Sequence, residues 1–214
     1  MYSVVDIESK ANKVLLSYFE SKGKTIEAPI DPIDILEYKG YSVDYVNGKY
    51  DKNTYGTLKI KDKVVEVNAD ISYNEGMENF TIAHEIGHIE LHATNLKNSD
   101  SPECDLTALN NDSQIEKEAD IFAACILMPE DLVKEAFYQI RKSPLFLKDG
   151  FLLRLIGKKN KTKRALNFAS MVIAQGKFNV SKYAMINRLI TLRLIKGIGY
   201  QKNRLNHESK PDMN

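Results

Sequence analysis

The stretch that decides the fold of this chain of 214 residues is His84-Glu85-Ile86-Gly87-His88. Residues four apart share one face of a helix, so both imidazoles can reach one metal ion, while Glu85 lies about 100° around the axis. A zinc ion bound in this way keeps a coordination position open for water, and the glutamate is placed to take the proton of that water. The stretch therefore predicts His84 and His88 as metal ligands and Glu85 as a general base.

The residues around this stretch favour a helix with one buried side. Its apolar positions recur at helical spacing: Phe80, Ile82, Ala83, Ile86 and Ile89. Burying two histidines among apolar residues costs free energy unless each has a polar partner. The two histidines are therefore either metal ligands or ordinary histidines with satisfied hydrogen bonds, and a third ligand is needed to decide.

The candidate for that third ligand lies in a second predicted helix that begins near Ser113. Glu116 and Asp120 are four apart, so Glu116 can bind the metal while Asp120 accepts a hydrogen bond from the outer N–H of a ligating histidine. Two alternatives stay open. Ser113 and Glu116 have the spacing of a capping box, which would use the glutamate to close the helix start. Glu118 is a rival ligand, although it has no acidic partner four residues later.

These residues also carry a family resemblance. The run from Phe80 to His92, the acidic pair on the second helix and the run from Phe122 to Pro129 closely resemble the ImmA/IrrE family of metallo-endopeptidases. Further downstream, Phe178-Asn179-Val180-Ser181 with Ala184, Arg188 and Leu189 resembles the carboxy-terminal helical signature of that family.

The resemblance implies a cytoplasmic zinc protease of the thermolysin-like class, with His84, His88 and Glu116 as ligands and Asp120 orienting a histidine. Members of the family typically act on one protein, in the best known cases a helix-turn-helix repressor of a phage, mobile element or stress regulon. An arginine often found before Phe80 in the family is absent here, where Glu78 and Asn79 stand instead.

Composition sets limits on location and on other kinds of site. No apolar run approaches the roughly 18 residues that a membrane helix needs, and the first residues lack the pattern of a signal peptide. The chain is therefore expected to be cytoplasmic and to have no membrane partner. Its two cysteines, Cys104 and Cys125, form no disulfide framework and no cysteine-type zinc site.

The predicted fold class is α+β, with a compact zincin-like metallopeptidase domain over residues 1–130. Helices are expected at 7–21 and 32–39, and strands at 41–46, 55–60 and 63–68 precede the metal helix. An exposed edge strand could bind an extended substrate through main-chain hydrogen bonds. The polar segment 93–112 is expected to be a loop, either a plain connection or a lid over the cleft.

After residue 130 the pattern is helical, and a flexible tail is expected at 198–214. Residues 1–130 have a net charge of −12 and residues 131–214 a net charge of +13. Helices at 165–175 and 181–194 could form a helix-turn-helix that presents Lys182, Arg188 and Arg193 to a nucleic acid or a substrate. Packing against the protease core or substrate recognition is favoured, because these three residues do not share one helix face. The basic run 158–164 is most simply a solvated segment.

Two functions from different classes follow from the sequence. The first is a zinc-dependent endopeptidase that cleaves a specific protein, with nucleic-acid binding not favoured. The second is a regulatory module in which the metal site is structural or vestigial and the region 131–197 binds DNA or a repressor.

Overall fold

The computed structural model describes residues 1–50, 54–69, 74–93, 113–147 and 161–201. Within these ranges the chain forms seven helices and five strands, which confirms a mixed α+β fold. In chain order the elements are α1 (Val4–Ser21), α2 (Pro32–Tyr38), β1 (Ser42–Val46), β2 (Gly56–Lys59), β3 (Val64–Asn68), α3 (Glu75–Leu91), α4 (Ser113–Leu127), α5 (Glu130–Ile140), β4 (Leu145–Phe146), α6 (Lys161–Gly176), α7 (Lys182–Thr191) and β5 (Ile195–Lys196).

Side-chain caps explain where the first two helices begin. Ser3 and Asp6 form a reciprocal capping box, so α1 starts three residues earlier than the apolar pattern from Ile7 predicted. Asp31 accepts hydrogen bonds from two main-chain N–H groups at the start of α2, and Pro32 occupies the first turn, as the sequence predicted.

The three predicted strands form one small sheet in the order β1-β3-β2. β2 and β3 are an antiparallel hairpin, whereas β1 pairs with β3 in parallel. Val65 and Val67 of the central strand are fully buried in the core, on the side that α3 covers. β2 is therefore an edge strand of this sheet within the described residues.

Helix α3, which carries His84 and His88, packs against both the three-stranded sheet and α4. Gly87 makes the contact with α4 possible, because a Cβ built there would lie only 3.1 Å from Cα and 3.2 Å from the carbonyl oxygen of Ala119. A glycine on one helix and an alanine on the other allow the two backbones to approach closely. This approach brings the acidic residues of α4 to the histidines of α3.

The carboxy-terminal part differs from an all-helical arrangement. β4 and β5 form a short parallel pair that the sequence pattern did not predict, since two-residue strands leave no periodic signal. α6 and α7 are present, but α7 ends at Thr191, before Arg193 takes a positive φ of 58° and the chain enters β5. Buried residues from before and after residue 130 belong to one hydrophobic cluster.

Several sequence expectations lie outside the described residues. They are the lid or loop at 94–112 with Cys104, the first half of the basic run at 158–160, and the tail from 202 onward. In the described part of the chain, no helix is long and apolar enough to cross a membrane.

Candidate metal centre

The site is built by two helices that present residues four apart. His84 and His88 project from one face of α3, and Glu116 projects toward them from the first turn of α4. Nε2 of His84 lies 3.0 Å from Nε2 of His88. The Glu116 carboxylate reaches both rings, with Oε2 at 3.2 Å from Nε2 of His84 and Oε1 at 3.4 Å from Nε2 of His88.

These three side chains form a cluster that could hold a metal ion. One ligand atom from each lies within 4.8 Å of the others. Two imidazole nitrogens and a carboxylate oxygen form the ligand set of many catalytic zinc sites, which leave one position open. Glu116, the favoured third ligand of the sequence analysis, therefore lies in the cluster. Its rival Glu118 points elsewhere.

Asp120 lies on the other side of the first histidine. Its Oδ1 is 2.9 Å from Nδ1 of His84, so the aspartate can accept the N–H of that nitrogen. The hydrogen bond leaves Nε2 of His84 directed at Glu116 and His88. Asp120 is open to solvent, with 58% of its side chain exposed.

The second histidine has a different outer partner. Nδ1 of His88 is 3.2 Å from Nδ1 of His92, and Nε2 of His92 is 3.2 Å from Oε2 of Glu118. Both partners are buried. His92 was not predicted as a site residue, although its position four residues after His88 repeats the spacing of the motif itself.

Glu85 lies beside the cluster without joining it. The residue is only 6% exposed, and burial raises the pKa of its carboxyl, while the neighbouring histidines offset part of that effect. The main chain of the edge strand runs close by, since a Cβ built on Gly56 would lie 3.6 Å from Oε1 of Glu85. A carboxylate with a raised pKa is suited to exchange protons near neutral pH.

The electrostatics of the cluster favour a cation between the two helices. Burial disfavours a charged His84 ring, but the hydrogen bonds that the ring donates to Asp120 and Glu116 outweigh this and raise the pKa of His84 to about 10. Burial likewise works against a charged Glu116, but its interactions with the two histidine rings outweigh this and lower its pKa to about 2. The donor set therefore holds a proton where a divalent metal ion could take its place, and the residues fit a metal of this kind.

A model of the IrrE N-terminal-like domain, a peptidase M78 domain, matches residues 38–148, slightly more than half of the chain. The chain belongs to the ImmA/IrrE family. The matched range contains the whole three-stranded sheet, the two helices that carry the candidate ligands, α5 and β4. Membership of the family suggests metallopeptidase activity and implies a protein substrate. No curated protein matches the chain.

The three basic residues considered for partner contact have different surroundings. Lys182 and Arg193 are exposed, at the first residue of α7 and beyond its end. Arg188 is 2% exposed and forms an ion pair with Glu8 of α1. Its guanidinium therefore faces the interior of the protein and is not presented to a nucleic acid or a substrate. The signal for this was the apolar surroundings of Arg188 in the sequence, at Met185, Ile186 and Leu189.

The carboxy-terminal segment nevertheless reaches the metal helix. Nδ2 of Asn79 donates to the carbonyl oxygen of Asn179 over 3.2 Å, and Asn179 in turn donates to Glu75. Gly76 allows this contact, because a Cβ there would lie 3.0 Å from the main-chain nitrogen of Ser181. The connection between α6 and α7 is thus packed on the first turns of α3.

Proposed function

We propose that this protein is a zinc-dependent endopeptidase that cleaves one specific protein in the cytoplasm. The observation that carries the proposal is the convergence of His84, His88 and Glu116 beside a buried glutamate of the same helix. Three such ligands with a neighbouring carboxylate are the set that hydrolytic zinc enzymes use.

In this proposal the metal supplies Lewis-acid activation of a water molecule and of the scissile carbonyl group. Glu85 takes a proton from the attacking water and passes it to the nitrogen of the leaving amine. The peptide C–N bond breaks as that nitrogen is protonated, and the water oxygen stays on the new carboxyl group. Asp120 keeps the His84 ring in one orientation by accepting its Nδ1–H.

The edge strand supports a protein substrate bound in extended form. In the antiparallel pair of β2 and β3, main-chain hydrogen bonds alternate, and Tyr55 is bonded to Asn68. The alternation directs the main-chain groups of Gly56 and Leu58 away from β3, toward the side of β2 on which the described residues form no further strand. A substrate segment paired there would lie next to Glu85, because Gly56 is adjacent to that carboxylate.

We infer from the family that the substrate is a helix-turn-helix transcriptional repressor, so that cleavage would switch on the genes it controls. The regulatory-module alternative needs a basic surface on α7, and the burial of Arg188 removes one of the three basic residues considered for it. Proteolysis is therefore the function that the site supports better.

The test uses the repressor encoded beside this gene. The wild type and Glu85→Gln, each with zinc, are incubated with the repressor, and the repressor is followed by intact mass. Because a general base contributes roughly 10²–10⁴-fold, we expect cleavage by the wild type and at least about 100-fold slower cleavage by the variant. Equal cleavage by both proteins would refute the role of Glu85. No cleavage by a zinc-loaded wild type would favour the regulatory module.

A further inference from the structure

The last turn of α3 carries a third histidine in line with the two of the cluster. His92 follows His88 by four residues and caps the carboxyl end of the helix. The two rings lie 5.3 Å apart between centroids, and their Nδ1 atoms are 3.2 Å apart. Beyond His92 lies Glu118, whose side chain is only 4% exposed, against 7% for His92. A buried row of polar groups therefore extends from the cluster into the protein.

The carboxylate of Glu118 is held in place by hydrogen bonds from N–H groups, which can donate but cannot accept. Its Oε1 accepts from the main-chain N–H of Tyr2 over 3.1 Å and from the amide NH₂ of Gln114 over 2.9 Å. Its Oε2 lies 3.2 Å from Nε2 of His92. An ionised carboxylate can only accept, so His92 donates from Nε2 to Oε2 of Glu118.

This assignment determines which ring nitrogen carries the proton, first in His92 and then in His88. A neutral imidazole that donates from Nε2 has its lone pair on Nδ1. His92 therefore accepts at Nδ1, and His88 must donate from its own Nδ1. The lone pair of His88 is then on Nε2, the atom that lies 3.0 Å from His84 and 3.4 Å from Glu116.

We propose that His92 and Glu118 are positioning residues that fix the tautomer and the ring orientation of His88 as a metal ligand. The inference rests on the proposed metal site, and neither residue belongs to the cluster that could hold the metal. The two histidine ligands are thus held differently. His84 is oriented by the exposed Asp120, whereas His88 is oriented by a buried relay that ends at the main chain of Tyr2.

A matched pair of substitutions tests the acceptor at His92. His92→Leu introduces an apolar side chain of similar size and removes the acceptor, whereas Oδ1 of Asn in His92→Asn can take the place of Nδ1. Zinc affinity is measured by competition with a chromogenic chelator. Loss of an outer partner typically costs about 10–100-fold in metal affinity, so we expect that loss for His92→Leu and near wild-type affinity for His92→Asn. Glu90→Gln, on the same helix and paired with Lys39, is the control that should not change affinity.

Two results would overturn the proposal. Unchanged affinity in His92→Leu would show that His88 needs no relay, and equal weakening in both variants would show that lost packing, not a lost acceptor, is the cause. A wild type that binds no zinc would instead refute the proposed function, which keeps the two failures apart.

A spectroscopic measurement decides the question even if a variant fails to fold. In metal-free wild-type protein with ¹⁵N-labelled histidine, long-range ¹H–¹⁵N spectra report which ring nitrogen carries the proton. We expect His88 protonated on Nδ1 and His92 on Nε2, and Glu118→Gln should disturb both assignments. The opposite tautomer of His88 in the wild type would overturn the relay.

Discussion

The candidate metal site lies between α3 and α4, and an ion pair joins α1 to α7. Both place charged groups inside the protein, but the polar atoms of the two networks are paired in different ways. The hydrogen bonds of Arg188 each join a donor to an acceptor: Nε donates to the carbonyl oxygen of Met128 over 2.8 Å, both terminal nitrogens donate to Glu8, and one of them also donates to Sγ of Cys125 over 3.5 Å. In the cluster, two ring nitrogens and a carboxylate face one another, and they need a cation between them.

These two buried polar networks serve different purposes in the same protein. The ion pair is complete within the chain and joins the first helix to α7, 180 residues later. The cluster needs a cation that the chain itself does not supply. The hydrogen bonds to the outer ring nitrogens orient the two histidines toward a metal ion. Substitutions should therefore separate stability from metal binding.

The largest effect on folding is expected from Arg188→Met. Removing the guanidinium leaves Glu8 without its ion-pair partner in a mostly buried place, and breaking a buried pair typically costs about 3–5 kcal/mol of the free energy of unfolding. Urea unfolding of the metal-free protein measures the change. Arg193→Met, at an exposed arginine, is the matched control. If the double variant Glu8→Gln/Arg188→Met is no more stable than Arg188→Met, the unpaired carboxylate is not the source of the loss.

The second effect separates metal binding from fold stability more clearly, because zinc should stabilise only a protein whose three proposed ligands are intact. Zinc at one hundred times its dissociation constant adds about 2.7 kcal/mol to the free energy of unfolding, provided that the unfolded chain does not bind it. We expect this increment in the wild type and in Arg188→Met, and its loss in Glu116→Gln. Thermal unfolding with and without zinc measures this increment in each protein. A full increment in Glu116→Gln would remove Glu116 from the ligand set.

A smaller effect is expected where the two metal-bearing helices touch. In Gly87→Ala the new Cβ would press on the main chain of Ala119, which has little freedom to move, so the helices must separate. Overpacking of this kind costs about 1–3 kcal/mol. Zinc affinity should fall as well, because Glu116 moves with α4. Gly199→Ala is the control, since a Cβ there meets no atom within 4 Å. Unchanged stability and zinc affinity in Gly87→Ala would contradict the close packing.

Much of the site could be predicted from the sequence because its signals are local. The spacing of His84 and His88 and the spacing of Glu116 and Asp120 are helical periodicities, and those residues meet as the motif predicts. The choice between Glu116 and Glu118 was harder, because both lie on the same helix. In the sequence only Asp120, four residues after Glu116, separates them, whereas in the fold the close approach of α3 and α4 at Gly87 brings Glu116 to the histidines.

Contacts between distant parts of the chain could not be predicted in this way. Nothing near Arg188 in the sequence shows that its partner is Glu8, and nothing near Glu118 shows that Tyr2 donates to it. The parallel pairing of β1 with β3 and the strands β4 and β5 are equally non-local. Sequence periodicity determines which face of a helix is buried, whereas the partner of a buried polar group depends on the packed fold.

The smallest effect concerns pH, and it tests whether the charge of the Glu8 carboxylate contributes to stability. Burial alone would raise the pKa of Glu8, but the hydrogen bonds and charge of Arg188 outweigh it and lower the pKa below its ordinary value of 4.5. A carboxylate with a lowered folded-state pKa contributes stability that is fully present above 4.5 and is lost as the pH falls through the folded-state value. We therefore expect the difference in unfolding free energy between wild type and Glu8→Gln to shrink as the pH falls below about 4.5, measured by urea unfolding of the metal-free proteins. Glu20→Gln, at an exposed position of the same helix, serves as the control, and a difference that stays constant with pH in Glu8→Gln would mean that the carboxylate charge does not stabilise the fold.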